Sequence, residues 1–384
     1  MEHTWCGGRE LSMKKVLFLF VTMPVGGAEM LCFSFLKGLD RSRFQPLACC
    51  IKDPGELGLE IRGAGYEVIS LGRMRSRRFE METVFALANL LKSRQIDIIH
   101  TNMYHANLYG RLGALLLGRR RPRSVAAVHS LYTEKKPRRL LVNRILNRWT
   151  DRILAVSEAV REDVLRYERA EPRRVEVLPL GADFERLDVD LSPEEAKERI
   201  GLSPSDWVVG TVGRLVEPKG HRYLLECLSI LVRRGVSLKL VIAGGGRLEA
   251  DLRRQVAENG LESHVLLLGT RRDIPELYRA MDLYVMASVS EAASMALLEA
   301  MAAGLPCVVT SVGGMVDLVD GGRCARVVPP ADAIALASAV EGLHASRGER
   351  LKLGSAAMER ARSRYGTEAM IRGLESIYDD LFAG

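Results

Sequence analysis

Long hydrophobic runs are missing from this chain of 384 residues. No apolar stretch approaches the roughly 20 residues of a membrane-spanning helix, so an integral helical membrane protein is excluded. Aromatics are scarce, at 6%, which argues against a surface that reads nucleic acid by stacking on bases. Cysteines at metal or redox spacing are missing as well. The seven present (Cys6, Cys32, Cys49, Cys50, Cys227, Cys307 and Cys324) form an odd set without CxxC. They are expected to be reduced core thiols of a cytoplasmic protein rather than a disulfide framework or a zinc site. No A-x-A-like cleavage pattern follows MKKVLFLFVTMPVGG, which starts at Met13. That segment therefore reads as a first strand and its loop, not as a secretory leader. Residues 1–12 before it show no periodicity and read as a loose extension.

What is present favours two cores. The length exceeds what one core usually organises, and 47% hydrophobic residues are enough to bury two. The net charge of +7 is unevenly placed. Residues 111–152 carry twelve Lys/Arg against Glu134 and Asp151, a local +10 that leaves the rest of the chain at −3. This basic surface suits an anionic acceptor or an acidic membrane face better than nucleic acid.

Each half opens with a strand, a Gly-rich turn and a helix. In the first half Lys15–Thr22 is followed by Pro24-Val25-Gly26-Gly27 and a helical pattern from Ala28; in the second, Trp207–Val212 leads into Gly213. Further short buried strands are expected at 96–100, 125–128, 153–156, 238–243, 265–268, 283–286 and 307–310. Short apolar strands alternating with helices predict parallel sheets covered on both faces, an α/β class of two doubly wound domains. Residues 183–204 turn polar, with Pro193, Pro204 and the run EEAKER, and mark the boundary. The last helical pattern, 367–382, is apolar at Met370, Leu374, Ile377 and Leu381 and needs a surface to cover.

Open parallel sheets bind ligands beyond the carboxyl ends of their strands. In VGRLVEPKG (212–220), Gly213 ends a strand, and Arg214 and Lys219 follow across one loop, two cations suited to a diphosphate. AGGGR (243–247) is a second Gly turn. In SEAASMALLEAMAAGLP (290–306) a helix is predicted over Met295–Ala303, stopped by Gly304 and Pro306. Small residues at its start, including Ser294 and Ala296, leave backbone N–H groups approachable to an anion. Glu299 lies inside this apolar helix and Glu291 at its mouth, with seven residues between them. Glu299 either meets an arginine or waits for a polar ligand, and the segment alone is compatible with both. Carboxylates beside phosphate-binding cations read together as a nucleotide-sugar pocket.

Several motifs, in order, extend this reading: PVGGAE, HTNMYHANLYGR, VAAVHS, DRILAVSEAV, VLPLGAD, VGRLVEPKG, LVIAGGG, VLLLGTRRDIPELYRAMDLYVMASVSEAASMALLEAMAAGLPCVVTSVGG and VVPP. On these the chain, from Met13 onward, resembles the glycosyltransferases of family 4 (group 1). The resemblance implies a GT-B fold: two Rossmann-like doubly wound domains facing a cleft, with a C-terminal helix crossing back. It implies an acceptor-binding domain over 13–184 joined by residues 367–384, and a donor-binding domain over 185–366. It further implies metal-independent, cofactor-free, retaining transfer from a nucleotide diphosphate sugar to a saccharide or lipid-linked acceptor.

By position, Arg214 and Lys219 would clamp the diphosphate, helped by the amides of Ser294, Met295 and Ala296. Glu291 would face the donor sugar and Glu299 the ribose. Gly26 and Gly27 would let the first loop approach the diphosphate, and His129 would face the reacting sugar. The chain departs from the family pattern at Ala292-Ala293, Leu180, AGGGR and near Cys324, and none of these removes a charged position. The resemblance places such a protein in cell-surface polysaccharide, lipopolysaccharide or glycolipid assembly. It would be cytoplasmic, on the inner face of the membrane if the basic 111–152 region engages anionic lipid.

Two readings of other classes fit the same residues: a nucleotide-sugar epimerase of this fold, and a non-catalytic donor-binding subunit. Asp188-Val189-Asp190 lies in the polar boundary and reads as solvated acids, and His100 with His105 lacks the partners of a zinc site. In KKPRRLLVNRILNRW, Leu141, Ile145 and Trp149 stand at helical spacing. The favoured reading is an ordinary helix burying this stripe on the first domain; the sharper one is an interfacial helix on anionic lipid.

Overall fold

The computed structural model describes residues 13–24, 26–74, 79–132 and 136–383. The 1–12 extension with Cys6, Val25 of the first turn, and Glu134 and Lys135 of the basic window lie outside the described residues.

Among the described residues, thirteen strands form two parallel sheets. The first holds β1 (Lys14–Phe20), β2 (Phe44–Cys50), β3 (Val68–Ser70), β4 (Ile98–Asn102), β5 (Arg123–Val128), β6 (Arg152–Ala155) and β7 (Val175–Val177), in the order β3-β2-β1-β4-β5-β6-β7. The second holds β8 (Val208–Val212), β9 (Lys239–Ala243), β10 (Val265–Gly269), β11 (Leu283–Met286), β12 (Cys307–Thr310) and β13 (Arg326–Val328), in the order β10-β9-β8-β11-β12-β13. Each order reverses once, between β1 and β4 and between β8 and β11. These are the switch points where the loops diverge and open a crevice for a ligand. The two-domain α/β architecture expected from the sequence is therefore present.

The central strands are buried on both faces, as β1 shows with Val16, Leu17, Phe18 and Leu19 wholly inaccessible. The six described cysteines are free and buried, in keeping with core thiols. The terminal helix Thr367–Asp380 crosses to the first domain. Its Met370, Leu374 and Ile377 are buried, its Tyr378 ring packs on Phe44, and Glu375 pairs with Arg43 at 3.4 Å. The crossing is fixed at its start by a bridge between Ala182 and Gly366.

One expectation is overturned. The helix Pro137–Leu146 and the turn Asn147–Trp149 turn their polar side inward and their apolar side outward. Leu141, Ile145 and Trp149 are 56%, 43% and 45% exposed, whereas Asn143 and Asn147 are buried. The physical reason lies beneath the helix. Arg111, counted from sequence as part of a basic surface, is itself buried. It donates to Asn143 Oδ1 and Asn147 Oδ1, each at 2.8 Å, and to the Asn107 carbonyl at 2.8 Å. The buried carboxylate of Glu168 accepts from Asn147 Nδ2 at 2.9 Å and from Asn143 and the Tyr132 hydroxyl. A buried guanidinium and a buried carboxylate need every polar neighbour they can recruit, so Asn143 and Asn147 face in to bridge them and the apolar stripe is left to face out.

Candidate active site

The carboxyl ends of β1, β4 and β5 face those of β8 and β11 across the cleft. On the donor side β8 runs into Gly213 and Arg214, then through the turn Glu217–Lys219. Gly244, at φ 146, presses against the Gly213 carbonyl, an approach that a Cβ would block. The β11 loop is tied to the same turn, because the Val289 N–H donates to the Pro218 carbonyl at 2.8 Å. Lys219 and Glu291 meet there in a partly buried ion pair. Arg214 is exposed. The helix Met295–Ala302 begins at Ser294, whose hydroxyl caps it by accepting from the Leu297 N–H at 3.2 Å. Ala-, Leu- and Met-rich sequence and this cap explain why the helix starts here.

Glu299 is 6% exposed and does not stand free. It pairs with Arg186 and accepts from the Tyr278 hydroxyl at 3.1 Å. Burial raises its pKa, against the lowering pull of Arg186 and the Tyr278 bond. The arginine partner weighed from the sequence is thus present, in the polar stretch between the domains. Arg186 itself is 44% exposed in its side chain and lies where a ligand could compete for the carboxylate.

On the facing wall Gly26 caps the helix Gly27–Gly38 without a side-chain bond. A Cβ at Gly27 would stand 3.6 Å from Met295 Cγ, so the two domains approach closely at these two helix starts. Glu29, which sequence reasoning left out of the site, is 8% exposed with its Oε2 over Gly26. Burial raises its pKa, opposed by its own backbone bond and by the charge of Arg214 across the cleft. The signal for Glu29 was its place in PVGGAE; for Arg186 and Tyr278 only the fold supplies one.

His129 directly follows β5 and is half-buried. Its Nε2 bonds Asn102 Oδ1 at 3.0 Å, and apolar surroundings pull its pKa down to about 4. His100, one strand over, is buried against the Tyr378 hydroxyl at 2.6 Å and pulled down to about 3 by burial and by His129. Both rings are neutral at physiological pH. Among the described residues no three His, Cys, Asp or Glu side chains gather as metal ligands, and Asp188 bonds Arg362 at 2.6 Å. The structure thus brings Gly26, Gly27, Gly213, Arg214, Lys219, Glu291 and the Ser294–Ala296 helix start to one cleft, with His129 on the opposite wall and Glu299 one turn deeper.

The sequence profile of the group 1 glycosyl transferases matches residues 206–346, and that of glycosyltransferase family 4 matches residues 25–186. The chain belongs to the group 1 glycosyltransferases of family 4, an enzyme family of GT-B fold. It is 30% identical over 247 residues to the Escherichia coli UDP-Gal:alpha-D-GlcNAc-diphosphoundecaprenol alpha-1,3-galactosyltransferase, covering 61% of this chain and 63% of that one, less than two thirds of its length. It is 28% identical to the D-inositol 3-phosphate glycosyltransferase of Corynebacterium glutamicum (strain R), covering 75% and 73%. In fold it is similar to Anabaena HepE, crystallised with UDP, at a TM-score of 0.83 and 22% identity, covering 95% and 100%. It is likewise similar to WaaG, a lipopolysaccharide glycosyltransferase, at 0.75 and 19%, covering 96% and 100%.

Proposed function

We propose that this protein is a retaining, metal-independent glycosyltransferase. It moves a sugar from a nucleoside diphosphate sugar to a hydroxyl of a saccharide or lipid-linked acceptor in surface polysaccharide, lipopolysaccharide or glycolipid assembly. The observation that carries the reading is the meeting of Arg214, Lys219 and the 295–302 helix start with the Gly26–Gly27 helix start, cations and amide donors from both walls at one place. These groups stabilise a departing diphosphate without a metal. Glu291 and Glu299 lie beside them as acceptors for sugar and ribose hydroxyls. His129 is neutral at pH 7, so it serves as a hydrogen-bond partner to the sugar and not as a cationic clamp. Transfer needs no covalent intermediate in this reading: the acceptor hydroxyl attacks the anomeric carbon on the face the diphosphate leaves, and its proton passes to the departing phosphate.

Uridine diphosphate is the donor moiety to try first, because HepE binds it on the same fold. The test is thermal stabilisation of the purified chain by UDP-, GDP-, ADP- and CMP-sugars, with Lys219→Ala and Glu299→Ala alongside. A selective shift that both variants lose supports the reading. No shift with any sugar at millimolar concentration would overturn the reading, whereas a shift without transfer by the isolated chain moves weight to a non-catalytic donor-binding subunit. Donor consumption without acceptor, yielding an epimer, would move it to the isomerase.

The same proposal places the protein on the cytoplasmic face of an anionic membrane, docked by the outward face of residues 137–149. Leu141, Ile145 and Trp149 are exposed there beside Arg138 and Arg148, the composition of an interfacial helix. Among the described residues no helix is long and apolar enough to cross a membrane. The docking face begins eight residues beyond His129 in the chain, so a bilayer there would bring a lipid-linked acceptor close to the first domain's side of the cleft.

A further inference from the structure

Asn102 ends β4 and stands at the N-cap of the helix Met103–Leu115. Asparagine is among the best capping residues, because its side-chain oxygen takes a bond from the first helical turn. Here it makes no such bond. Its Oδ1 instead accepts from His129 Nε2 at 3.0 Å, reaching from β4 to the end of the neighbouring β5. The other end of the amide, Nδ2, is buried without a partner, and the residue as a whole is 3% exposed. The next residue, Met103, sits at φ 66, a left-handed conformation uncommon for any side chain with a Cβ. An unused cap, an unpaired buried donor and a strained neighbour converge on one position. Each would be removed by a residue that served the helix alone, so something other than local stability holds Asn102 in place.

We propose that Asn102 is a positioning residue for His129: its Oδ1 holds the Nε2 proton, fixes the ring's rotation and tautomer, and leaves Nδ1 as a bare acceptor for a sugar hydroxyl. His129 Nδ1 has no hydrogen-bond partner among the described residues, and the residue is half-buried at the carboxyl end of the first sheet. A carboxamide suits the task because it is neutral. A carboxylate in its place would stabilise a second proton on the ring and cancel the lone pair. An apolar residue would leave Nε2–H unpaired and the tautomer free. The unpartnered Nδ2 is the cost of keeping a neutral acceptor at this point. The role of the lone pair rests on the transferase reading above; the tautomer does not.

The test uses the full chain labelled with 15N-histidine, its seven histidines resolved by comparison with His129→Gln. At pH 7.5 the wild-type ring is expected to show a protonated Nε2 and an unprotonated Nδ1. Asn102→Ala should mix the two tautomers, while Asn102→Asp, which keeps the oxygen, should keep Nε2 protonated and raise the pH at which Nδ1 takes up its proton. UDP affinity, measured by calorimetry, should stay within about twofold in both variants, because neither Asn102 nor His129 is among the proposed diphosphate contacts. A wild-type ring protonated on Nδ1, or a tautomer unmoved by Asn102→Ala, overturns the proposal. Should Asn102→Ala fail to fold, the Asn102→Asp spectrum decides, since loss of the Nε2–H form there would equally overturn it. Failure of the wild type to bind UDP would count against the uridine donor alone, and the ring spectra would still decide the role of Asn102.

Discussion

Trp149→Ser is the sharpest test of membrane docking, since the side chain is exposed at the end of the inverted helix and makes no part of the cleft. It leaves 45% of its surface exposed, about 110 Å² for an indole that can bury up to about 250 Å². Transferring that area into the acyl boundary is worth about 2.7 kcal/mol at about 25 cal/mol per Å². Its loss should weaken partitioning roughly a hundredfold. Arg138 and Arg148 on the same face each add about 1 kcal/mol near an anionic surface, a part that salt removes. The assay is co-sedimentation with vesicles of neutral lipid and of neutral lipid containing about a third of anionic lipid, at low and high salt. The wild type should bind the anionic vesicles and lose part of its affinity in salt, and Trp149→Ser should lose most of what salt leaves. Binding by the variant within about twofold of wild type would refute the insertion of this face. Equal binding of wild type to neutral vesicles would refute the part assigned to charge.

Glu29→Gln removes a buried carboxylate that competes with a diphosphate for Arg214, and should tighten UDP binding severalfold by calorimetry; weaker binding would mean that Glu29 contributes to the site instead of occupying it. Arg111→Leu leaves Glu168 buried without its cation, and should cost about 3–5 kcal/mol in urea unfolding, with the 137–149 segment the first to gain hydrogen exchange. His129 has a folded pKa of about 4 from burial, below the ~6.5 of a free imidazole. The unfolded state therefore binds the extra proton, and stability that is full above about pH 6.5 is lost as pH falls through that value toward the folded pKa. Between pH 7 and pH 5 this amounts to about 2 kcal/mol; His129→Gln should reduce the pH dependence of the urea midpoint by that amount, and an unchanged dependence would contradict the burial of a neutral ring.

The sequence showed best where one local rule decided an element. The strands Leu283–Met286 and Cys307–Thr310 lie where their apolar runs placed them, and the helix Met295–Ala302 ends one residue short of the expected Ala303. Four strands escaped notice for physical reasons. β2 carries Pro46 between two neighbours, which sequence rules assign to an edge. β3, β7 and β13 are three residues each, too short to show a period. The inverted helix shows the limit of periodicity itself. The spacing of Leu141, Ile145 and Trp149 correctly gave a helix, but a stripe does not say which side faces in. That was decided by Arg111 and Glu168, far apart in the chain and joined only by the fold. Arg186 and Glu299 were hidden in the same way, since 113 positions separate them.

The charges in the cleft share one arrangement: groups suited to a nucleotide sugar are already engaged by the protein. Lys219 is held by Glu291, Arg214 feels Glu29 across the cleft, and Glu299 is held by Arg186. Lys219 is partly buried and kept neutralised by Glu291, and the buried carboxylate of Glu299 is kept neutralised by Arg186. In the proposed transfer a diphosphate would bring negative charge to Arg214 and Lys219 while ribose and sugar hydroxyls reach Glu299 and Glu291. Exchange of partners therefore costs less than creation of a site from unpaired charges. The same logic sets the specificity of the step. A ligand that offers phosphate without hydroxyls would free the carboxylates and leave them buried and unsatisfied, so a nucleoside diphosphate sugar should bind better than inorganic diphosphate by more than its added contacts alone.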